Sequence, residues 1–177
     1  MTNISNLFNF IESKRPEYKV PLKFKLLYNP GSITEDDLNV KGDLYLSDTS
    51  ITTLPDNLIV GGDLSLYDTP ITTLPDNLIV GGYLDLSNTS ITTLPDNLTV
   101  GGGLYLRYTP ITTLPDNLRV GGDLSLSNTQ ITTLPDNLIV GGSLFLSNTP
   151  LSKQYSKDEI SKMIQDKGGN VEGDIYV

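Results

Sequence analysis

Cysteine, histidine and tryptophan are all missing from this sequence of 177 residues. Without cysteine there is no disulfide framework, no thiolate metal site and no thiol nucleophile. Without histidine the chain lacks the commonest general base and the commonest transition-metal ligand, so catalysis would have to rest on carboxylates, lysines or tyrosines. Basic residues are scarce too: 12 Lys and Arg face 21 Asp and Glu, for a formal charge of −9. A field of that sign opposes approach to a nucleic-acid backbone or an anionic membrane and suits a basic or neutral partner. No apolar run approaches the length of a membrane span. Met1 to Arg15 has no charged leading region, and its apolar residues are interrupted by Asn9 and Glu12, so it does not read as a secretory leader. The expected location is the cytoplasm, of a bacterium or of an infected host.

What the sequence does contain is repetition. Ile51-Thr52-Thr53-Leu54-Pro55-Asp56-Asn57-Leu58 recurs unchanged from Ile71, Ile91, Ile111 and Ile131. Self-similarity at a fixed period of this length is the signature of a solenoid. Each unit continues through Val60, a glycine pair and Leu64-x-Leu66, and that alternation marks a short strand. The equivalent leucine pairs are Leu44/Leu46, Leu84/Leu86, Leu104/Leu106, Leu124/Leu126 and Leu144/Leu146. Stacked in register they form one parallel sheet. Thr49, Thr69, Thr89, Thr109, Thr129 and Thr149 then fall one above another, where a hydroxyl can bond the turning backbone. Leu44, Leu46, Ile51, Leu54, Leu58 and Val60 are the inward positions of a coil. Pro55 presets a tight turn opposite the sheet and leaves no room for a full helix.

Leu84-Asp85-Leu86-Ser87-Asn88-Thr89-Ser90-Ile91-Thr92-Thr93-Leu94-Pro95 resembles the LxLxxNxLxxLP core of leucine-rich repeats, in the variant with Thr at the Asn position. The resemblance covers about residues 40 to 150, and the twenty-residue period is similar to the shortest members of that family, known in bacterial effectors that bind host proteins. It implies a right-handed coil with one parallel sheet of about seven strands. The unit departs from the family where Gly61 and Gly81 stand in place of a consensus leucine, with Val60 and its equivalents added before them. That departure leaves open a right-handed parallel β-helix, in which Leu58 to Leu66 would be one longer strand bent at the glycine pair.

Both ends leave the repeat in ways that supply caps, so the expectation is a single domain with a helical cap over 1–39, repeats over 40–150 and a helix-plus-strand cap over 151–177. Ser156-Lys157-Asp158-Glu159 reads as a capping box opening a helix through Ile160, Met163 and Ile164, stopped by Gly168-Gly169. The last seven residues return to the repeat pattern and predict a seventh strand. Near the start, Ile4, Leu7, Phe8 and Ile11 share one helical face, and Ser32-Ile33-Thr34-Glu35 is a second candidate capping box. Lys19 to Tyr28 is compatible with strand or helix.

Compared with one another, the units keep their scaffold positions and change on the outward side of the strand. The candidate protein-binding residues are therefore Asp43, Tyr45, Asp63, Ser65, Tyr67, Tyr83, Asp85, Tyr105, Arg107, Tyr108, Asp123 and Phe145. Tyrosine with small polar residues is the composition of antibody binding loops, rigid amphipathic area beside adaptable hydrogen bonding. Drift after duplication would vary the same positions.

Three functions remain: a non-enzymatic protein-binding module, such as an accessory or anti-defence protein of a phage or bacterium; an acidic nucleic-acid mimic that inhibits a nucleic-acid-binding enzyme; and a structural or assembly protein. The second draws on the fourteen acids of residues 31 to 150, set against Lys41, Arg107 and Arg119. The column Asp56, Asp76, Asp96, Asp116, Asp136 invites calcium, but the nine-residue pattern of calcium-binding β-rolls is absent, and no metal or cofactor is expected. The expected partner is another protein bound by a monomer. No catalytic constellation is legible: a Ser/His/Asp triad needs histidine, and Gly61-Gly62 lacks the lysine of a phosphate loop.

Overall fold

Each repeat closes into a three-sided coil because three short stretches of its sequence favour sharp bends. One corner is the glycine pair, such as Gly61-Gly62. The next is an Asx position after the leucine strand, where Asp68 and Asn88 adopt φ of 54° and 60°. The third follows the proline, where Asn57 and Asn77 adopt φ of 60° and 57°. Asparagine and aspartate tolerate this left-handed region better than other side chains, since their short polar groups bond locally. The computed structural model describes residues 3–15 and 19–177.

Two of the three sides are sheets, and each is parallel and seven-stranded. Sheet 1 stacks Asn39–Val40, Ile59–Val60, Ile79–Val80, Thr99–Val100, Arg119–Val120, Ile139–Val140 and Asn170–Val171. Sheet 2 stacks Leu44–Tyr45, Leu64–Ser65, Leu84–Asp85, Leu104–Tyr105, Leu124–Ser125, Leu144–Phe145 and Ile175–Tyr176. The expected leucine sheet is sheet 2, seventh strand included. Sheet 1 adds to that expectation: the segment ending in Val60, read only as an inward apolar addition, forms a ladder of its own on the other side of the glycine corner. Register advances by one repeat at each step, Leu44 on Leu64 on Leu84 on Leu104. The last step is longer, Leu144 pairing with Ile175, and the additional chain is helical.

The interior is one continuous column. Leu44, Leu46, Ile51, Leu54, Leu58 and Val60 are all buried, as are their equivalents along the stack almost without exception. The threonines just past sheet 2 act as anticipated: the hydroxyls of Thr69, Thr89 and Thr109 donate to the carbonyls of Leu66, Leu86 and Leu106 at 2.7, 2.6 and 2.8 Å. A buried hydroxyl thereby finds a partner inside its own coil.

Polar ladders lock coil to coil at the corners. Asn77 Nδ2 donates to Asn57 Oδ1 at 3.0 Å, and Asn137 to Asn117 at the same distance. Beside them the Asp76 amide donates to Asp56 Oδ1, and the Asp136 amide to Asp116 Oδ1. At the glycine corner the amides of Asp63, Tyr83 and Ser143 donate to Oδ1 of Asp43, Asp63 and Asp123. Carboxylates here do the work of backbone acceptors, which explains a like-charged column without a metal ion.

At the ends, lysines replace the missing coil. Lys157 Nζ takes Asp174 Oδ1 at 3.1 Å and Lys167 Nζ takes Asp136 Oδ1 at 2.9 Å, closing both acid ladders. Lys157 is the first residue and Lys167 the C-cap of the fourth helix, α4 (Lys157–Asp166), which opens at the Ser156/Glu159 capping box and ends before Gly168 at φ 76°. A short preceding helix, α3 (Pro150–Gln154), capped by Thr149, was not foreseen. At the other end Lys23 Nζ donates to Tyr45 O at 2.8 Å, on the edge of the first sheet 2 strand.

The N-terminal cap consists of α1 (Asn3–Lys14), α2 (Leu22–Tyr28) and two single turns of 3-10 helix. The Lys19 to Tyr28 ambiguity resolves as helix from Leu22, with Leu22 and Leu26 packed on the core. Phe8 meets Phe24 edge-on at 6.5 Å, while Leu7 and Phe10 face solvent; the Ile4 side chain lies outside the described residues. The capping box near residue 32 belongs to Thr34 and Asp37, not to Ser32 and Glu35, because Ser32 already ends the preceding turn with its hydroxyl on Asn29 O. Asp37 also pairs with Lys25 at 3.0 Å, and Lys25 reaches Glu12 at 3.0 Å. Burial alone would raise the Asp37 carboxyl, but hydrogen bonds from Thr34 and the Lys25 ammonium hold it below its ordinary value.

Two outcomes follow. A Cβ on Gly101 would strike the Gly81 carbonyl, whereas one on Gly42 in the first coil meets nothing within 4 Å. Gly101→Ala should therefore cost about 2 kcal/mol or more in urea denaturation and Gly42→Ala close to nothing. The lowered Asp37 value means that its contribution is complete above the ordinary carboxylate range and is lost as pH falls through it. Lys25→Met should destabilise the cap by about 3 kcal/mol, since it strands a buried carboxylate, and this loss should shrink below about pH 4, measured by hydrogen exchange of α2.

Candidate functional site

The register of sheet 2 decides which outward side chains meet. Tyr45, Ser65, Asp85, Tyr105, Ser125, Phe145 and Tyr176 form one column. Asp43, Asp63, Tyr83, Gly103, Asp123 and Ser143 form a second, two residues earlier and next to the glycine corner. Ser47, Tyr67, Ser87, Arg107, Ser127 and Ser147 form a third, beside the Asx corner. Eleven of the twelve candidate residues therefore lie on one face, and the twelfth, Tyr108, stands at the Asx corner on its flank. Six rung spacings of about 4.8 Å give it a length of about 29 Å.

Within that face the aromatic residues fall into three groups. Tyr45, Tyr83 and Tyr105 make a ridge along the first two columns. Tyr45 donates its hydroxyl to Asp43 Oδ2 at 3.0 Å, and the rings of Tyr83 and Tyr105 meet edge-on at 6.1 Å. The third ring leans over Gly103: a side chain there would collide with the Tyr105 hydroxyl, so the missing side chain makes room for the ridge. Phe145 stacks flat on Tyr176 at 4.8 Å, at the C-terminal end of the face. Tyr67 and Tyr108 stand apart, 42% and 64% exposed, on the flank next to the Asx corner.

Between ridge and flank runs a groove of about 470 Å³ lined by Tyr67, Asp85, Ser87, Asn88, Arg107 and Tyr108. Arg107 Nε donates to the buried Ser125 hydroxyl at 2.9 Å, which anchors the guanidinium and leaves its terminal nitrogens available. Asp85 Oδ1 accepts from the Ser87 amide at 2.9 Å, leaving Oδ2 toward the groove. Four of the six lining residues were legible as candidates. Ser87 was missed because serine stands at the same place in Ser47, Ser127 and Ser147, so it varies too little to be noticed. Ser65 is placed differently from its expectation: on the outward side, yet only 7% exposed, between the larger Tyr45 and Asp85 of its column and bonded to Ser47 Oγ at 2.6 Å.

Tyr108 is the irregular member. The Asx corner holds Asp48, Asp68, Asn88, Asn128 and Asn148, and the side chains bridge rungs, Asn88 to Asp68 at 2.7 Å and Asn148 to Asn128 at 3.2 Å. Tyr108 occupies the same left-handed backbone at φ 58° and breaks that ladder. A bulky side chain there costs energy that asparagine would save.

Two tyrosines of the ridge, Tyr45 and Tyr105, ionise late. Its hydrogen bond to Asp43 pushes the Tyr45 phenol up to about 12, helped by partial burial and by Tyr83. Burial, with the carboxylates of Asp123 and Asp85, raises Tyr105. These two hydroxyls therefore stay neutral hydrogen-bonding groups throughout the physiological range.

No protein-family model matches the chain, and no curated protein matches it in sequence.

Two measurements check this geometry. Tyr108→Asn should raise stability by about 1 kcal/mol by restoring the Asx ladder and relieving the backbone, seen as a higher Tm. In a spectrophotometric titration, Asp43→Asn should bring the latest tyrosine down from about 12 toward the ordinary value of 10. Because the folded value is raised, the linked stabilisation is complete below pH 10 and disappears as pH rises through about 12.

Proposed function

We propose that this chain is a non-enzymatic protein-binding module, acting as a monomer, whose strand face grips its partner around the Tyr67–Tyr108 groove. The observation that carries the reading is Tyr108. A residue that breaks a stabilising ladder, adopts an unfavourable backbone and leaves a large ring exposed, beside the one anchored guanidinium of the face, is better accounted for by a binding role than by the scaffold. Exposed tyrosine and arginine in a shallow groove are also the residue types that dominate protein interfaces.

The finer reading is that the coil is a short relative of leucine-rich repeats, working in the cytoplasm of a bacterium or of a phage-infected cell as an accessory or anti-defence protein. The repeat motif supports the first part and the acidic, cysteine-free composition the second. Nucleic-acid mimicry is the weaker alternative. Aspartates at the glycine corner spend an oxygen on the next coil's amide, and another column lies at the asparagine corner, which sheet 2 does not share.

The strand-face substitutions of the test are ones that other coils already carry. Tyr67→Ser, Arg107→Ser and Tyr108→Asn, combined, should keep the fold and abolish capture of the protein retained by the wild-type chain from its native host. Thr53→Ser with Thr73→Ser, on the third side of the coil, should leave capture unchanged. Retention unaffected by the strand-face set would refute the reading, and release of a nucleic-acid-binding enzyme by moderate salt would favour mimicry instead.

A further inference from the structure

The charges of the strand face are almost all of one sign and almost all uncompensated. Among the described residues, none of Asp43, Asp48, Asp63, Asp68, Asp85 and Asp123 takes part in an ion pair, although acids at both caps do. The one cation of this face, Arg107, is tied to a serine hydroxyl instead of a carboxylate. Two of these acids are only half used. Asp63 and Asp85 each commit Oδ1 to a backbone amide, at 2.9 Å in both cases, and keep Oδ2 free. One rung on from Asp63 stands the ring of Tyr83, one rung on from Asp85 stands that of Tyr105, and Tyr67 lies across the groove from Asp85.

A neutral aromatic face next to a carboxylate held rigidly by its other oxygen is suited to a guanidinium or ammonium group: the cation stacks on the ring and pairs with the free oxygen. The two places, at Asp63 and Asp85, lie one rung and two strand residues apart, about 8 Å on the diagonal. An extended chain, whose side chains on one face recur at about 7 Å, can present cations to both places, whereas a helix of similar charge spreads them around its surface.

We infer that the partner offers the strand face a basic, extended polypeptide segment, with lysine or arginine side chains set against Tyr83, Tyr105 and Tyr67 and paired with the free oxygens of Asp63 and Asp85. This rests on the protein-binding reading above and names the chemistry of the partner. Arg107 then acts as a selector: its charge disfavours a cation at the groove's far end and limits the registers in which a basic segment can lie.

The experiment is fluorescence anisotropy with a labelled decapeptide alternating arginine and serine, and a glutamate–serine decapeptide as control, at physiological salt. Asp63→Asn with Asp85→Asn keeps both Oδ1 acceptors and should weaken binding of the basic peptide about tenfold. Asp76→Asn with Asp96→Asn changes the net charge equally at the asparagine corner and should weaken it no more than about twofold. Arg107→Ser should tighten it. Equal losses from the two aspartate pairs would show attraction to net charge alone and overturn the inference, as would a wild-type chain that ignores the basic peptide or an Arg107→Ser chain that binds it less well. Any of those results, with capture of the native partner still lost in the strand-face triple variant, would remove the basic segment and leave the protein-binding role standing.

Discussion

Everything in this molecule depends on one coil settling directly on the backbone of the next at the glycine corner. The amides of Gly61, Gly81 and Gly101 donate to the carbonyls of Val40, Val60 and Val80 at 2.7 to 2.8 Å, and the second glycines continue the ladder. A β-carbon on most of these glycines would collide with the carbonyl of the coil beneath. The approach is thus close enough to exclude any side chain, and it holds both sheets in register. Strands of two residues would be negligible alone; as two ladders seven deep, sharing one apolar interior, they are mutually supporting.

That constraint governs which other positions are free. Inward residues must be apolar and of repeating size, and the Asx corners must accept a left-handed backbone. The carboxylates at position 63 and its equivalents must reach the amide of the next coil, or the ladder lapses, as it does at Tyr83 and Gly103. What remains unconstrained is the outer side of sheet 2. There a departure from the repeat has no scaffold purpose to serve, and the departures gather into the ridge and the groove. Asp63 shows how the two demands coexist: its Oδ1 accepts from the amide of the next coil while Oδ2 stays free.

The ends show the same logic in reverse. A stack of identical coils would continue indefinitely, since each leaves unpaired acceptors for another. Lys157 and Lys167 place ammonium groups where the next amides would come, and α4 covers the apolar interior with Ile160 and Ile164. At the start, Lys23 meets the open carbonyl of Tyr45 while Leu22 and Leu26 seal the first coil.

By itself the sequence determined the period, the inward residues, the leucine sheet with its seventh strand, the threonine hydrogen bonds, the C-terminal helix and the face on which variable residues gather. All of these are carried by periodic patterns, and a twenty-residue repeat reads out which side chains stack wherever the coils superimpose. The tertiary structure decided the rest. Ile59–Val60 is a strand of a sheet because the glycine corner brings its backbone onto Val40 and Val80, and a single unit does not reveal that the Val60 carbonyl will find the Gly81 amide just past the neighbouring strand. The helix at Leu22 follows from Leu22 and Leu26 covering the first coil, where alternation alone suited a strand equally well. Thr34 takes the cap from Ser32 because Ser32 is already engaged. Ser65 is hidden and Tyr108 strained for the same reason: exposure and backbone conformation are properties of neighbours one rung away, twenty residues distant in the chain and adjacent only after the coils have stacked.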